Sequence, residues 1–187
     1  MADNDALLTN QMPHSPQAEQ AVLGSMLIDA DCVKDVMDQL QTQDFYLRTN
    51  RDIFETIYQM FVYSKPIDGV TVAGEMEKNG KSNEQTRSYL VQLMEVTPTS
   101  ANVMEYVRIV QEKSLMRQVA FAAGSITAMV QQGTGSAGDM LEAAEQRIYA
   151  IRRGRSAQGM VPVSMVLGDV MSQLAELSAR GGKSVPG

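Results

Sequence analysis

The chain has 187 residues, is 44% hydrophobic with no Trp, and carries a formal charge of −6. Its single cysteine, Cys32, excludes an intramolecular disulfide and fits a reducing compartment. Its single histidine, His14, excludes a histidine-built metal cluster or catalytic triad.

No window approaches the ~20 apolar residues that a membrane helix needs. The start, Met1-Ala2-Asp3-Asn4-Asp5, is acidic and lacks a signal-peptide core, so a soluble, cytoplasmic protein is expected. Residues 1–100 hold 7 Lys+Arg against 15 Asp+Glu, and residues 101–187 hold 9 against 7. The acidic first part repels phosphate and argues against a nucleic-acid surface there. β-Branched residues rarely alternate with polar ones, and Met, at 14 copies, suits irregular helical cores, so the expected class is all-α.

Residues 1–12 read as a flexible polar tail and residues 13–98 as a compact multi-helix head. Ser15 is placed to cap a first helix, with Pro16 at its first position. The run from Ala18 to Ile28 is apolar on most sides after Gln20, so this helix should be central, with Gly24 admitting a close neighbour. Asp29 or Asp31 should cap a second helix bearing Val33, Val36, Met37 and Leu40. Asp44-Phe45-Tyr46 reads as an anchored turn with two aromatics inserted between helices. A third helix from about Asn50 carries a stripe of Ile53, Phe54, Ile57, Tyr58 and Phe61 and ends at Ser64-Lys65-Pro66. Asp68 or Thr71 should cap a fourth, which stops at Asn79-Gly80. A fifth carries Tyr89, Leu90 and Leu93 and stops before Pro98.

These residues resemble a known family. Pro13-His14-Ser15 with Glu19-Gln20-Ala21-Val22-Leu23-Gly24 looks like the opening of a DnaB-type replicative DNA helicase. Asp44-Phe45-Tyr46 with Arg51, Ile53 and Phe54 matches a second landmark. Pro66-Ile67-Asp68 with Val70-Thr71 matches a third. Pro98-Thr99-Ser100-Ala101-Asn102, then Tyr106, Val110 and Arg117, matches a fourth. The order and spacing are family-like over about residues 13–153. Two places depart from the pattern. Asn50 stands where the family usually has His, and residues 82–86 replace a turn containing Gly-Gly.

Residues 99–153 read as a helical hairpin arm. Asn102 and Glu105 have capping-box spacing, and Val103, Val107 and Val110 form a first stripe. The five-residue step to Leu115 breaks the beat, which suggests a root on the head followed by a free arm. Leu115, Val119, Ala122, Ile126 and Met129 then step 4-3-4-3, as do Ala137, Leu141, Ala144, Ile148 and Ile151 beyond a glycine turn at Gly133-Thr134-Gly135. That is heptad spacing for a seam between the two helices. Ser136 with Asp139 should cap the return helix. Met116, Phe121, Met140 and Tyr149 lie off the seam and are candidate subunit-interface residues. The resemblance implies that these hairpins pair between subunits and that the N-terminal domains form a collar on a hexameric ring.

A linker over 154–163 leads to a helix over 164–180 with Leu167, Val170, Met171, Leu174 and Leu177 on one face. In the family, such a linker helix docks on the neighbouring subunit's motor domain. Residues 181–187 then form a tail where the family begins its ATPase domain, so the motor is expected to be absent from this chain. Gly182-Lys183-Ser184 is no Walker A motif, because Leu177 stands where the first glycine belongs and no strand precedes it. Arg152, Arg153 and Arg155 read either as a basic patch or as favourable charge at a helix end. The absence of interleaved aromatics favours the second. Cys32 behind Asp31 reads as a structural thiol rather than an activated one. Asp29, Asp31, Asp35 and Asp38 match no EF-hand spacing.

Two functions are carried forward. The first is the non-catalytic assembly and primase-docking region of a hexameric replicative helicase, with itself, primase and a helicase loader as partners. The parent would unwind DNA with ATP and Mg, but this chain should need no cofactor, catalyse nothing and bind nucleic acid weakly. The alternative is a stand-alone helical adaptor that binds or caps a helicase ring. Slow hydrogen exchange at residues 165–178 would mark the adaptor and rapid exchange the fragment.

Overall fold

A computed structural model of the chain describes residues 12–133 and 135–156, and among these every regular element is helical. Helix α1, Pro16–Ile28, starts where Ser15 accepts the Ala18 N–H at 3.3 Å. It is apolar around most of its circumference and therefore lies in the middle of the head. Ala18, Val22, Leu23, Met26 and Leu27 are all buried. The close neighbour admitted by Gly24 is the end of helix α5, Glu84–Glu95. A β-carbon at Gly24 would stand 2.5 Å from the Leu93 carbonyl oxygen and 2.1 Å from Thr97 Oγ1.

Helix α2, Cys32–Gln39, buries Val33 and Val36, while Met37 packs half-buried beside them. Neither expected cap bonds a free amide of this helix. Asp31 stands at the N-cap position without a side-chain bond. Asp29 instead accepts the Asp31 N–H at 3.1 Å and the Ser100 hydroxyl, tying the α1–α2 corner to the approach to the arm. A short 3-10 turn, Thr42–Asp44, follows. It delivers Phe45 into the core against Phe54, ring centroids 4.8 Å apart.

Helix α3, Arg48–Val62, corrects part of the expected stripe. Ile53, Phe54, Ile57 and Met60 face the core, whereas Tyr58 and Phe61 are 37% and 40% exposed. The inward face follows i, i+1, i+4, i+7 from Ile53, which rotates Tyr58 and Phe61 onto the flank and brings Met60 in. Helix α4, Gly69–Lys78, opens with Asp68 accepting the Val70 and Thr71 N–H groups at 2.8 and 2.9 Å. Thr71 Oγ1 accepts the Asp68 N–H in return. This helix ends at Asn79 with Gly80 left-handed at φ 67°. Within the departing segment 82–86, Asn83 caps α5 by accepting the Thr86 N–H at 2.8 Å.

Helix α6, Val103–Gln132, is one unbroken helix of 30 residues, ~45 Å long. Asn102 precedes it without a side-chain cap, because its backbone is not extended and its own carbonyl takes the Glu105 N–H at 3.0 Å; the Glu105 carboxylate accepts from Arg108 at 3.2 Å. Val103, Val107 and Val110 are buried on the head, where α6 packs most on α1. Gly133 ends the helix with φ 64°, a left-handed cap that suits glycine. The return helix α7, Ala137–Ser156, opens on a reciprocal cap. Asp139 accepts the Ser136 N–H at 2.9 Å, and Ser136 Oγ accepts the Asp139 N–H at 3.2 Å. The expected helix over 164–180, with Leu167, Val170, Met171, Leu174 and Leu177, lies outside the described residues.

Candidate functional site

The arm leaves the head through a set of polar contacts rather than through apolar packing alone. Past Val110, Gln111 donates to the Gln39 carbonyl at 2.7 Å, and Ser114 donates to Asp44 Oδ1 at 2.6 Å. Arg117 is 5% exposed and donates to the carbonyls of Asp44 and Pro13. Its guanidinium carbon also stands 5.6 Å from the Tyr46 ring centre. Burial lowers the Arg117 pKa, opposed first by the Glu19 carboxylate.

Behind this root lies a second polar group. Glu19 is buried and accepts from the Tyr46 N–H at 2.7 Å and from Asn50 Nδ2 at 2.8 Å. Asn50 in turn accepts the Tyr89 hydroxyl at 2.9 Å. The residue that departs from the resembled family therefore donates to one partner and accepts from another. Periodicity did not single out Glu19, although a signal was there. Glu19, Leu23 and Met26 stand at i, i+4, i+7 on the buried side of α1, so the carboxylate had to be inside and paired.

Along the arm, the expected seam divides. Leu115, Ala122, Ile126 and Met129 on α6 and Ala144 and Ile151 on α7 are half-buried. Val119, Leu141 and Ile148 are exposed, contrary to the seam assignment, and so is Ala137. Met140, expected outside, turns inward, and Arg147 crosses the seam to donate to Ser125 at 3.0 Å. The physical reason is that a heptad stripe on a straight helix is wider than the contact line of one partner. Six of the ten seam residues are half-buried and four remain open.

The open part has a definite direction. At 100° per residue, Met116, Val119 and Val130 fall within about 60° on one flank of α6, and Leu141 and Ile148 within about 20° on one flank of α7. The two helices run antiparallel, so these flanks open to the same side of the hairpin. All five residues are exposed, Leu141 by 63%. Tyr149 borders this face, and Ala144, Ile148 and Tyr149 line a shallow groove with Glu142, Glu145, Gln146 and Arg152. Phe121, 66% exposed, projects from the opposite side of the hairpin.

The remaining candidates do not gather into a chemical site. Cys32 is half-buried, and its thiol is pushed up to about 11 by burial and by Asp29, which makes it a poor nucleophile. Arg152 and Arg153 are exposed in the last turns of α7. Among the described residues, no group of three or more His, Cys, Asp or Glu side chains could hold a metal. Among them too, no helix is long and apolar enough to cross a membrane.

The chain is similar to proteins of known kind. A family model for the DnaB-like helicase N terminal domain matches residues 11–112. The replicative DNA helicase DnaB of Mycobacterium leprae is 32% identical over 180 residues, which is 93% of this chain and 29% of that protein. The protein of the same name from Leifsonia xyli subsp. xyli is 33% identical over 153 residues, 81% of this chain and 34% of its own length. The chain thus spans about a third of the length of these curated relatives. The crystal structure of the N-terminal domain of DnaB helicase from Mycobacterium tuberculosis superposes with a TM-score of 0.68 at 33% identity, over 75% of this chain and 99% of that one. The N-terminal domain of DnaB helicase from Helicobacter pylori, whose structure was described with its interactions with primase, shares the fold. It has a TM-score of 0.55 at 24% identity, covering 61% of this chain and 89% of that one.

Proposed function

We propose a function from one premise: this chain belongs to the family of DnaB-like helicase N-terminal domains. It serves as the assembly and primase-docking region of a replicative DNA helicase, and ATP-driven unwinding belongs to a motor domain elsewhere in the whole protein. The observation that carries this reading is the one-sided apolar face formed by Met116, Val119, Val130, Leu141 and Ile148. A hairpin of two helices buries one side of each, and exposed aliphatic residues gathered on a common side favour a second apolar surface over water. A second copy of the arm supplies such a surface and builds a four-helix contact of the kind that the resemblance implies for a hexameric collar. Primase is the outside partner that this reading assigns to the head and arm, and a helicase loader is a further one.

The test is mass measurement in solution, by sedimentation or light scattering, with and without the helicase-binding domain of a primase. Self-association of the chain and a heavier complex with the primase domain are expected. A chain that stays monomeric at every concentration and ignores the primase domain would overturn the reading. Equilibrium dialysis should show no ATP bound to this chain.

A further inference from the structure

The first described residues of the chain do something that their position does not require. Residues 12–14 precede the cap of α1, yet they lie against the root of an arm that begins nearly ninety positions later. The His14 ring stacks on the Tyr46 ring, with centroids 4.2 Å apart and planes 23° apart. His14 Nδ1 lies 2.7 Å from the Met12 carbonyl oxygen. A carbonyl only accepts, so that nitrogen carries the proton and the bond fixes the ring's orientation. Pro13 presents its carbonyl to Arg117 Nη1 at 2.7 Å. The same guanidinium donates to the Asp44 carbonyl and lies near the Tyr46 ring. Tyr46 is thus in contact both with the segment before α1 and with the arm.

Where these contacts fall on α6 gives them their meaning. Apolar packing of α6 on the head runs from Val103 to Val110. Beyond it the attachment is by hydrogen bonds from Gln111, Ser114 and Arg117. Further along, the hydrogen bonds off α6 turn to α7, at Ser125 and Arg147. Arg117 is therefore the outermost of these head attachments, the point with most control over the angle at which the helix departs. One of its acceptors belongs to residues 12–14, which lie outside any helix.

We propose that residues 12–14 act as a strap, seated on Tyr46 and gripped by Arg117, that fixes the angle of the arm relative to the head. Lifting the strap removes one acceptor from a buried guanidinium and one ring from Tyr46. The outermost attachment of α6 then loosens while Val103, Val107 and Val110 stay packed. A partner that draws the N-terminal segment away from Tyr46 changes the arm's angle without touching the arm. This device does not depend on the functional reading above, since it concerns one copy of the chain.

The experiment is a distance measurement between nitroxide labels at Ser88→Cys on the head and Gln131→Cys near the arm's tip, in a Cys32→Ser background. Leu141→Asp is included so that pairing between copies cannot hold the arm. With the native strap a single narrow distance distribution is expected. His14→Ala and Arg117→Lys should each broaden it and speed amide exchange at residues 114–121 by roughly two- to tenfold, leaving exchange in α1 and α5 unchanged. The double variant should change little beyond Arg117→Lys, because that change releases the strap together with the Asp44 bond and leaves His14→Ala nothing further to release. Circular dichroism checks folding, and His14→Ala, half-exposed, keeps the test decisive if Arg117→Lys unfolds. An unchanged distribution and unchanged exchange in His14→Ala would overturn the proposal, and so would fully additive effects in the double variant.

Discussion

The carboxylate of Glu19 accepts the backbone N–H of Tyr46 at 2.7 Å across 27 positions of chain. It accepts the Asn50 amide through its other oxygen, so one side chain of α1 satisfies the start of α3 and the strand of backbone before it. Glu19→Ala leaves buried donors without an acceptor and should cost about 2–4 kcal/mol. Glu19→Gln should recover only part of this, because one arm of the amide points an NH2 at a donor. Urea denaturation followed by circular dichroism checks both. A Glu19→Ala midpoint equal to wild type would show that these bonds contribute nothing to the fold.

Gly24 is where α1 and the end of α5 touch. Gly24→Ala must push against the Leu93 carbonyl, which is backbone and cannot swing aside, and against Thr97. Overpacking of this kind should lower stability by about 1–3 kcal/mol even though alanine is the better helix former. Adding Thr97→Ala removes the side-chain clash but not the carbonyl, so rescue should be partial. Complete rescue would place the tight contact on Thr97 alone.

The two classes of arm residue should respond in opposite ways. Leu141→Asp changes an exposed residue and should shift the melting free energy by no more than about 0.5 kcal/mol while abolishing self-association. Ile126→Asp puts a charge into the half-buried seam and should cost about 1–3 kcal/mol. Thermal melts and sedimentation of the two variants read the two effects separately. Unchanged self-association in Leu141→Asp would remove the open face from the assembly surface.

Asp68 gives the head a dependence on pH. Its backbone bonds from Thr71 and Val70 hold its carboxyl below the usual carboxylate value. The folded pKa is therefore below the unfolded one. The cap's contribution is complete above the unfolded pKa of ~3.9 and disappears as pH falls through the folded value. Asp68→Ala should cost about 1 kcal/mol at neutral pH. That difference should shrink in acid. Asp68→Asn, which can still accept from an amide, should stay close to wild type at neutral pH and lose this part of the acid dependence. Urea midpoints of the three proteins across the acid range check the sign.

Much of the head was readable because its signals are local. Ser15-Pro16, Asp68 with Thr71, Asn79-Gly80 and Ser136 with Asp139 act within one turn of chain, and each stands where its chemistry predicts. The positions that differ depend on distant partners. Asp29 stands two positions before the N-cap of α2, so its carboxylate meets the Asp31 N–H and, from 71 positions away, the Ser100 hydroxyl. Tyr58 and Phe61 turned outward because Met60, a residue that adapts to irregular spaces, fills the inner position. The hairpin was evident from its period and glycines. Periodicity gives the stripe but not which part of it the partner helix covers, so Val119, Leu141 and Ile148 could be placed only in three dimensions. The bonds made by Glu19, Asp44, Ser114 and Arg117 join residues far apart in the chain and carry no periodic signal.

Helix α6 passes from the core of the head to the tip of the arm without a break. Its inner end is packed on the head and Arg117 is the outermost head attachment, so a change of angle at that point acts on the rest of the helix as on a lever. About 15 residues of helix beyond that point make ~22 Å of rod, so a tilt of about 10° there carries the tip through ~4 Å. Such a sweep is comparable to the width of an aliphatic side chain. Small repacking within the head, too slight to register as unfolding, is thereby magnified into a choice of which surfaces can meet.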